Sequence, residues 1–308
     1  GSVDASVISG KVNIANAFVY TVANAAVNGR KGTAAVDAAV ITGDLTVTAT
    51  GTAVASAEVD QPVHELGAIS IAANILTASL QATQSAVVNN ANVKAANISV
   101  TSNFNQGVTD AGSGGAKAVL RGMGGNAGLA LVGADVNTAN ATAAAYNWAY
   151  ITNTYIVAGT GAVEIESAGT SLATAGVEQK SGGGFATFGI TVVKANANGS
   201  YMAYLNAAGS TVNAASLDVT TTYIAKAVAE TAQSTKGGVT ASAAAGEVNV
   251  ADAKVGITTE ASVKGSIVSG AISGTVAITG NVNIKADGTA HALASVQAPN
   301  VELGGINL

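Results

Sequence analysis

The stretch GSYMAYLNAAGSTVNAASLDVTTT, running from Gly199 to Thr222, decides the fold. In its second half Leu217 and Val219 alternate with Asp218 and Thr220, and a period of two marks a β-strand with one face buried. The same unit recurs along the chain. GDLTVTATGT from Gly43, ANISVTSN from Ala96, GAVEIESAGT from Gly161 and GNVNIKADGT from Gly280 share its form, a small residue followed by two apolar residues two apart. The first apolar residues are Leu45, Ile98, Val163, Leu217 and Val282, separated by 53, 65, 54 and 65 residues. This alternation predicts long units of two interleaved sizes.

Other features recur between these anchors. Glycine clusters follow three of them, at Gly112 (GSGG), Ser181 (SGGG) and Lys236 (KGG). Ala149-Tyr150-Ile151 and Ala203-Tyr204-Leu205 are 54 residues apart, the offset that also relates Val163 to Leu217. Alanine abundance would suit helices, but frequent Val, Thr and Ile, glycines every few residues and the lack of a 3.6-residue stripe favour strands. With only two prolines, Pro62 and Pro299, strands can succeed one another through short Asn, Gly and Ser corners.

Composition then selects among all-β architectures. Only 4% of the 308 residues are aromatic and 10% charged, so a barrel or sandwich interior would lack bulky side chains to fill it. The reading is a parallel β-helix, or β-solenoid, in which 1–308 form one continuous segment of stacked coils around a narrow core of Val, Ala, Ile and Leu. A coil of about 20 residues would give on the order of 15 coils and a rod near 70 Å long. Leu45, Ile98, Val163, Leu217 and Val282 are all expected to point into one shared core.

The same numbers exclude several function classes. A net charge of −5 and scattered Lys and Arg, with Arg30-Lys31 in NGRKG the one short basic cluster, argue against nucleic acid as a partner. No uninterrupted 18-residue apolar run suggests a membrane-spanning helix, and no membrane insertion is expected of this segment. The absence of cysteine removes structural disulfides and thiolate metal sites. No leader precedes Val3, Gly1-Ser2 reads as a cloning remnant, and the chain reads as a mature piece of a longer protein.

NGSYMAYLNAAGSTVNAASLDVTTT from Asn198, with SGGG upstream, resembles the repeat of the leukotoxin-type filamentous adhesins, large repetitive surface or secreted proteins of Gram-negative anaerobes. The likeness covers most of the chain from about Gly43 onward. Lys264-Gly265-Ser266-Ile267-Val268 stands in place of the Tyr-bearing strand in the last copy, and the first 42 residues align poorly. The resemblance implies a β-helical stalk or passenger displayed at the bacterial cell surface, with roles in adhesion or toxin action.

Chemistry-bearing motifs are few. RGMGGNAG at Arg121 loosely resembles a dinucleotide fingerprint, but LALVG returns at once to strand-like sequence where a helix is required. Glu164 and Glu166 share one strand face, yet one strand supplies too few oxygens for Ca²⁺. No calcium-binding nonapeptide repeat is present. His64 sits in DQPVHEL, read as a loop leaving the solenoid wall, and His291 is isolated. No catalytic constellation, cofactor or metal site is expected, and the chain reads as non-enzymatic. An ice-binding Thr-x-Thr face is interrupted by Glu164 and Asn281.

The aromatic residues are more informative. Tyr146, Trp148 and Tyr150 alternate in AAAYNWAYITNTY, and the corresponding face one repeat later carries Ser200, Met202 and Tyr204. The other face, Ala145, Asn147, Ala149 and Ile151, suits a narrow core, so the aromatic face should point outward. Such a face could stack on sugars or be buried in a protein contact. Two functions follow: a rigid adhesive segment of a filamentous surface adhesin, or a glycan- or protein-binding module acting through Tyr146, Trp148, Tyr150 and Tyr204. The expected partner is a host or neighbouring-cell glycan or protein, and end-to-end or lateral self-association is open to such a rod.

Overall fold

A computed structural model describes residues 5–29, 39–60, 66–123, 130–179, 184–233, 244–265, 267–268, 271–272 and 275–297. They form five coils. The first holds β1 (Ala5–Asn28), β2 (Ala39–Val40), β3 (Leu45–Gly51) and β4 (Val54–Asp60). The second holds β5 (Leu66–Asn89), β6 (Asn92–Lys94), β7 (Ile98–Phe104) and β8 (Gly115–Met123). The third has β9 (Ala130–Thr152), β10 (Tyr155–Val157) and β11 (Ala162–Gln179), and the fourth has β12 (Gly184–Asn206), β13 (Thr211–Ala214) and β14 (Ser216–Gln233). The fifth has β15 (Ala244–Lys264), β16 (Ile267–Val268), β17 (Ala271–Ile272), β18 (Thr275–Ile278) and β19 (Val282–Val296).

Equivalent strands of successive coils stack in parallel. A long sheet runs β1-β5-β9-β12-β15, a return sheet runs β3-β7-β11-β14-β19 with β4 and β8 alongside, and a narrow edge sheet runs β2-β6-β10-β13-β18. Only β16 and β17 pair antiparallel among the described strands. The architecture is thus all-β, a parallel β-solenoid, as the period-two reading requires.

The five repeat anchors form one rung in register: Leu45 pairs with Ile98, Ile98 with Val163, Val163 with Leu217 and Leu217 with Val282. Each sequence interval is therefore one coil. This corrects the coil size, because five coils of 53 to 65 residues replace about fifteen short ones. The stack rises only about 20 Å along its axis, while a 24-residue strand extends roughly 80 Å across it. Sequence periodicity sets the repeat length, but whether that length is one turn or several depends on where the corners fall.

The alternation of 53 and 65 also has a different cause from two kinds of unit. Phe104 to Ala116 spans twelve positions where Gly169 to Ala173 spans four, because a loop separates β7 from β8. In the last coil Lys264 to Thr275 spans eleven positions where Asn206 to Thr211 spans five. One kind of coil carries insertions at two unrelated places.

Two further expectations are corrected. β1 pairs with β5 along its whole length, so residues 5–28 belong to the repeat at an offset of 61 despite their poor alignment. Ala203-Tyr204-Leu205 pairs with Ala261-Ser262-Val263, so these residues, and not Lys264 to Val268, occupy the place of the Tyr-bearing strand. Backbone hydrogen bonding fixes register here, and side-chain identity drifts beneath it.

Of the anchors, Ile98, Val163 and Leu217 are buried and Leu45 packs partly buried against the core. Val282 is 54% exposed, because β19 has a strand neighbour on one side only. The expectation that all five share the interior therefore holds for the middle of the stack and fails at Val282.

The core is built largely from alanine ladders such as Ala78–Ala141–Ala195, small enough to let the two large sheets approach closely. It falls into two apolar clusters. Between them on the long sheet runs the buried column Gln84–Asn147–Tyr201. Asn147 is fully engaged across the interior: its Nδ2 donates to the carbonyls of Ser102 and Ala168, both at 2.7 Å. Its Oδ1 accepts from the Ser102 hydroxyl, and its carbonyl accepts from Ser167 Oγ at 2.7 Å. Gln84, oriented to satisfy both of its amide ends, accepts from the Gly51 N–H (2.9 Å) and donates to the Asn103 carbonyl (2.7 Å).

A second polar ladder closes the core at the start of the long strands. Asn13 Nδ2 donates to Asn74 Oδ1 at 2.8 Å, and Asn74 Nδ2 donates to Asn137 Oδ1 at 2.9 Å. At the opposite corner Asn90 and Asn153 adopt left-handed φ angles near 50°, and the Asn153 amide donates to Asn90 Oδ1. Asn tolerates this conformation better than most side chains, so stacked asparagines turn successive coils at the same place.

Candidate functional site on the outer face of the long sheet

Alternation along β9 places Ala145, Asn147, Ala149 and Ile151 inside and Tyr146, Trp148 and Tyr150 outside, as their sizes require. Parallel stacking then brings residues from four coils into outward rungs. Thr83, Tyr146, Ser200 and Thr258 form one, Ser85, Trp148, Met202 and Glu260 the next, and Val87, Tyr150, Tyr204 and Ser262 the third.

The rings of Tyr150 and Tyr204 stack with centroids 4.9 Å apart and planes within 3°. That separation is the spacing between hydrogen-bonded strands, so the backbone sets it. Lys264 Nζ lies 4.3 Å from the Tyr204 ring centroid, within cation–π range. The same ammonium pairs with Glu260 Oε1 at 2.8 Å, and Ser262 Oγ donates to that oxygen at 2.7 Å.

Those two partners hold the Glu260 carboxyl below the usual glutamate range. The Tyr204 phenol is shifted upward, first by its partial burial and then by Tyr150 and Glu260. Both groups are therefore held in their ordinary neutral-pH forms, an anionic carboxylate and an uncharged phenol. All three outward aromatics of β9 are half-buried by neighbouring coils, and the Trp148 indole Nε1 is enclosed without a hydrogen-bond partner.

This geometry changes how the aromatics could meet a ligand. Tyr150 and Tyr204 turn a ring face toward each other, and Lys264 lies over the Tyr204 ring. What remains for a partner is ring edges and phenol hydroxyls, flanked by an ammonium–carboxylate pair. Lys264 and Glu260 were not singled out by sequence reasoning. Their rungs hold no recurrent residue type, so only the coil stacking reveals that they join the tyrosines.

The other residues of interest do not converge. Glu164 and Glu166 lie on the outer face of the return sheet, and the Glu166 carboxyl is pushed upward by burial, then by Glu164 and Asp218. His291 is exposed on β19. Arg121 and Met123 end β8, which gives the start of RGMGGNAG to a strand, while 124–129, His64, Arg30 and Lys31 lie outside the described residues. Among the described residues no group of three or more His, Cys, Asp or Glu side chains gathers to hold a metal ion. Compared with known proteins, the chain matches no family model, no curated protein and no solved structure.

Proposed function

We propose that this chain is a structural and adhesive segment of a filamentous protein displayed on a bacterial cell surface, acting without catalysis or cofactor. The observation that carries the reading is the outward ladder of Trp148, Tyr150 and Tyr204 with Lys264, held at strand spacing on a five-coil solenoid. A stacked sheet is a rigid support, and side chains on it lose little further freedom when a partner binds. The mechanism is mechanical: the solenoid keeps a fixed pattern of side chains in place, and weak contacts gain strength through multiple copies.

A second reading, a binding module for glycan or protein acting through Tyr146, Trp148, Tyr150 and Tyr204, is favoured by the Lys264–Glu260 pair beside the rings. Phenol hydroxyls, an ammonium and a carboxylate suit a hydroxyl-rich surface such as a glycan. Glycan-array and matrix-protein binding of the wild-type chain, of Trp148→Ala and of Tyr204→Ala with Lys264→Ala tests both readings. Binding lost in the variants with circular dichroism unchanged supports the module. Binding that survives both variants places adhesion elsewhere on the rod. No binding, together with no surface labelling of cells that produce the parent protein, overturns the adhesive reading itself.

A further inference from the structure

At the start of the long strands the usual polarity of a solvated sheet is inverted. Asn74 and Asn137 point inward and are buried. The outward rung beside them is Val12–Ala73–Val136–Ile190–Val248, apolar across all five coils. Its exposed members are 44% to 67% accessible. The outward rungs at Ile8, Gly10 and Ile14 continue this composition, and Thr138 carries the one polar side chain among the described positions of the four. A sheet whose outer face met water would place polar residues there.

Five strands and four alternate positions make a footprint of about 600 Å². That is at or above the largest apolar patch common on monomers, roughly 300–600 Å². Two such faces together would bury about 1,200 Å², the lower bound of standard stable interfaces.

Charge narrows the choice of partner. The flanking rung, Asn16–Thr77–Asn140–Lys194–Asp252, offers one cation opposed by one anion, which is not the basic rim that draws a protein to anionic lipid. The face has almost no donors or acceptors for a sugar. A second copy of the same face is complementary to it, since ladders of equal pitch can interdigitate at about 10 Å, as in packed sheets. Glu164, Glu166 and Asp218 lie on the outer face of the other large sheet, where they would point away from such an interface.

We propose that two copies of this chain pack face to face through the apolar outer surface of β1, β5, β9, β12 and β15. Sedimentation velocity over a concentration series should give a species of twice 29.7 kDa. Val136→Glu with Ile190→Glu should raise the dimer dissociation constant by more than about tenfold, because carboxylates would be buried unpaired in the interface. Circular dichroism should not change. If that double variant loses its fold, Phe188→Lys, at a 52% exposed position, makes the same test. A wild-type chain that stays monomeric overturns the proposal, and so does a dimer indifferent to these substitutions. A monomer that binds neutral phosphatidylcholine vesicles through this face also overturns it and makes lipid the occupant.

Discussion

The ring of Tyr201 lies over Gly169, where a β-carbon would come within 2.6 Å of Tyr201 Cε1 and 2.8 Å of the Phe104 carbonyl oxygen. Gly169 belongs to the rung Gly51–Phe104–Gly169–Tyr223–Gly288, which alternates glycine with an aromatic residue along the stack. Tyr201 fills the gap at Gly169 and stacks on Tyr223 at 5.9 Å. Gly169→Ala is expected to lower stability by about 1–3 kcal/mol through overpacking. A urea midpoint equal to wild type would show that the two sheets part more easily than this contact implies.

Tyr201 is fully buried and its hydroxyl has no hydrogen-bond partner, and burial pushes its phenol well above the ordinary tyrosine range. Removing an unsatisfied buried hydroxyl while keeping the ring should help. Tyr201→Phe is expected to raise stability by about 1 kcal/mol. A fall in melting temperature would reveal a partner for the hydroxyl.

Asn147 ties three backbone or side-chain groups of the return sheet to the long sheet. Asn147→Ala leaves the Ser102 hydroxyl and two buried carbonyls without this partner, at about 1–3 kcal/mol for each group left unsatisfied. Expected is a large drop in the denaturation midpoint together with faster exchange of the Gly169 and Asn103 amides. Unchanged exchange there would mean that the two apolar clusters hold the sheets without the polar column.

Leu217 and Val282 are neighbours in one rung, but Leu217 is 2% exposed. Leu217→Asp buries an unpaired charge and should cost several kcal/mol, comparable with a domain's whole margin. Val282→Asp should cost less than about 1 kcal/mol, as surface changes do. Thermal melts of the two variants provide the comparison, and equal losses would mean that Val282 is covered by something beyond its one neighbouring strand.

Glu166 has a raised pKa because burial, Glu164 and Asp218 all oppose its charge. A carboxyl whose folded pKa lies above its unfolded value penalises the fold at neutral pH, and the penalty disappears as pH falls through the folded and then the unfolded value. Glu166→Gln should therefore stabilise at pH 7 by a few tenths of a kcal/mol, the scale of like-charge neighbours on a sheet. Below the ordinary glutamate range the gain should vanish. A gain that persisted at pH 3 would assign it to packing instead of charge.

Much of the fold was legible because strand alternation is a local property. Leu217-Asp218-Val219-Thr220 states which side faces in, and the recurrence at Leu45, Ile98, Val163 and Val282 states which strands stack. The outward direction of Tyr146, Trp148 and Tyr150 was readable for the same reason, since Ala145 and Ala149 fit a narrow interior. The asparagine ladder had a signal that passed unused: VNI at Val12, ANI at Ala73, VNT at Val136 and VNV at Val248 place Asn between apolar residues in four coils.

The sequence by itself determined strand, face and register, because a slip of one residue would turn every buried side chain to solvent. Only the tertiary structure decided that one repeat is one coil, since corners depend on how far each strand runs before the opposing sheet can cover it. It also decided which distant residues meet. Gly169 accepts Tyr201, and Lys264 reaches Tyr204, because stacked and facing sheets bring together positions that no local period relates.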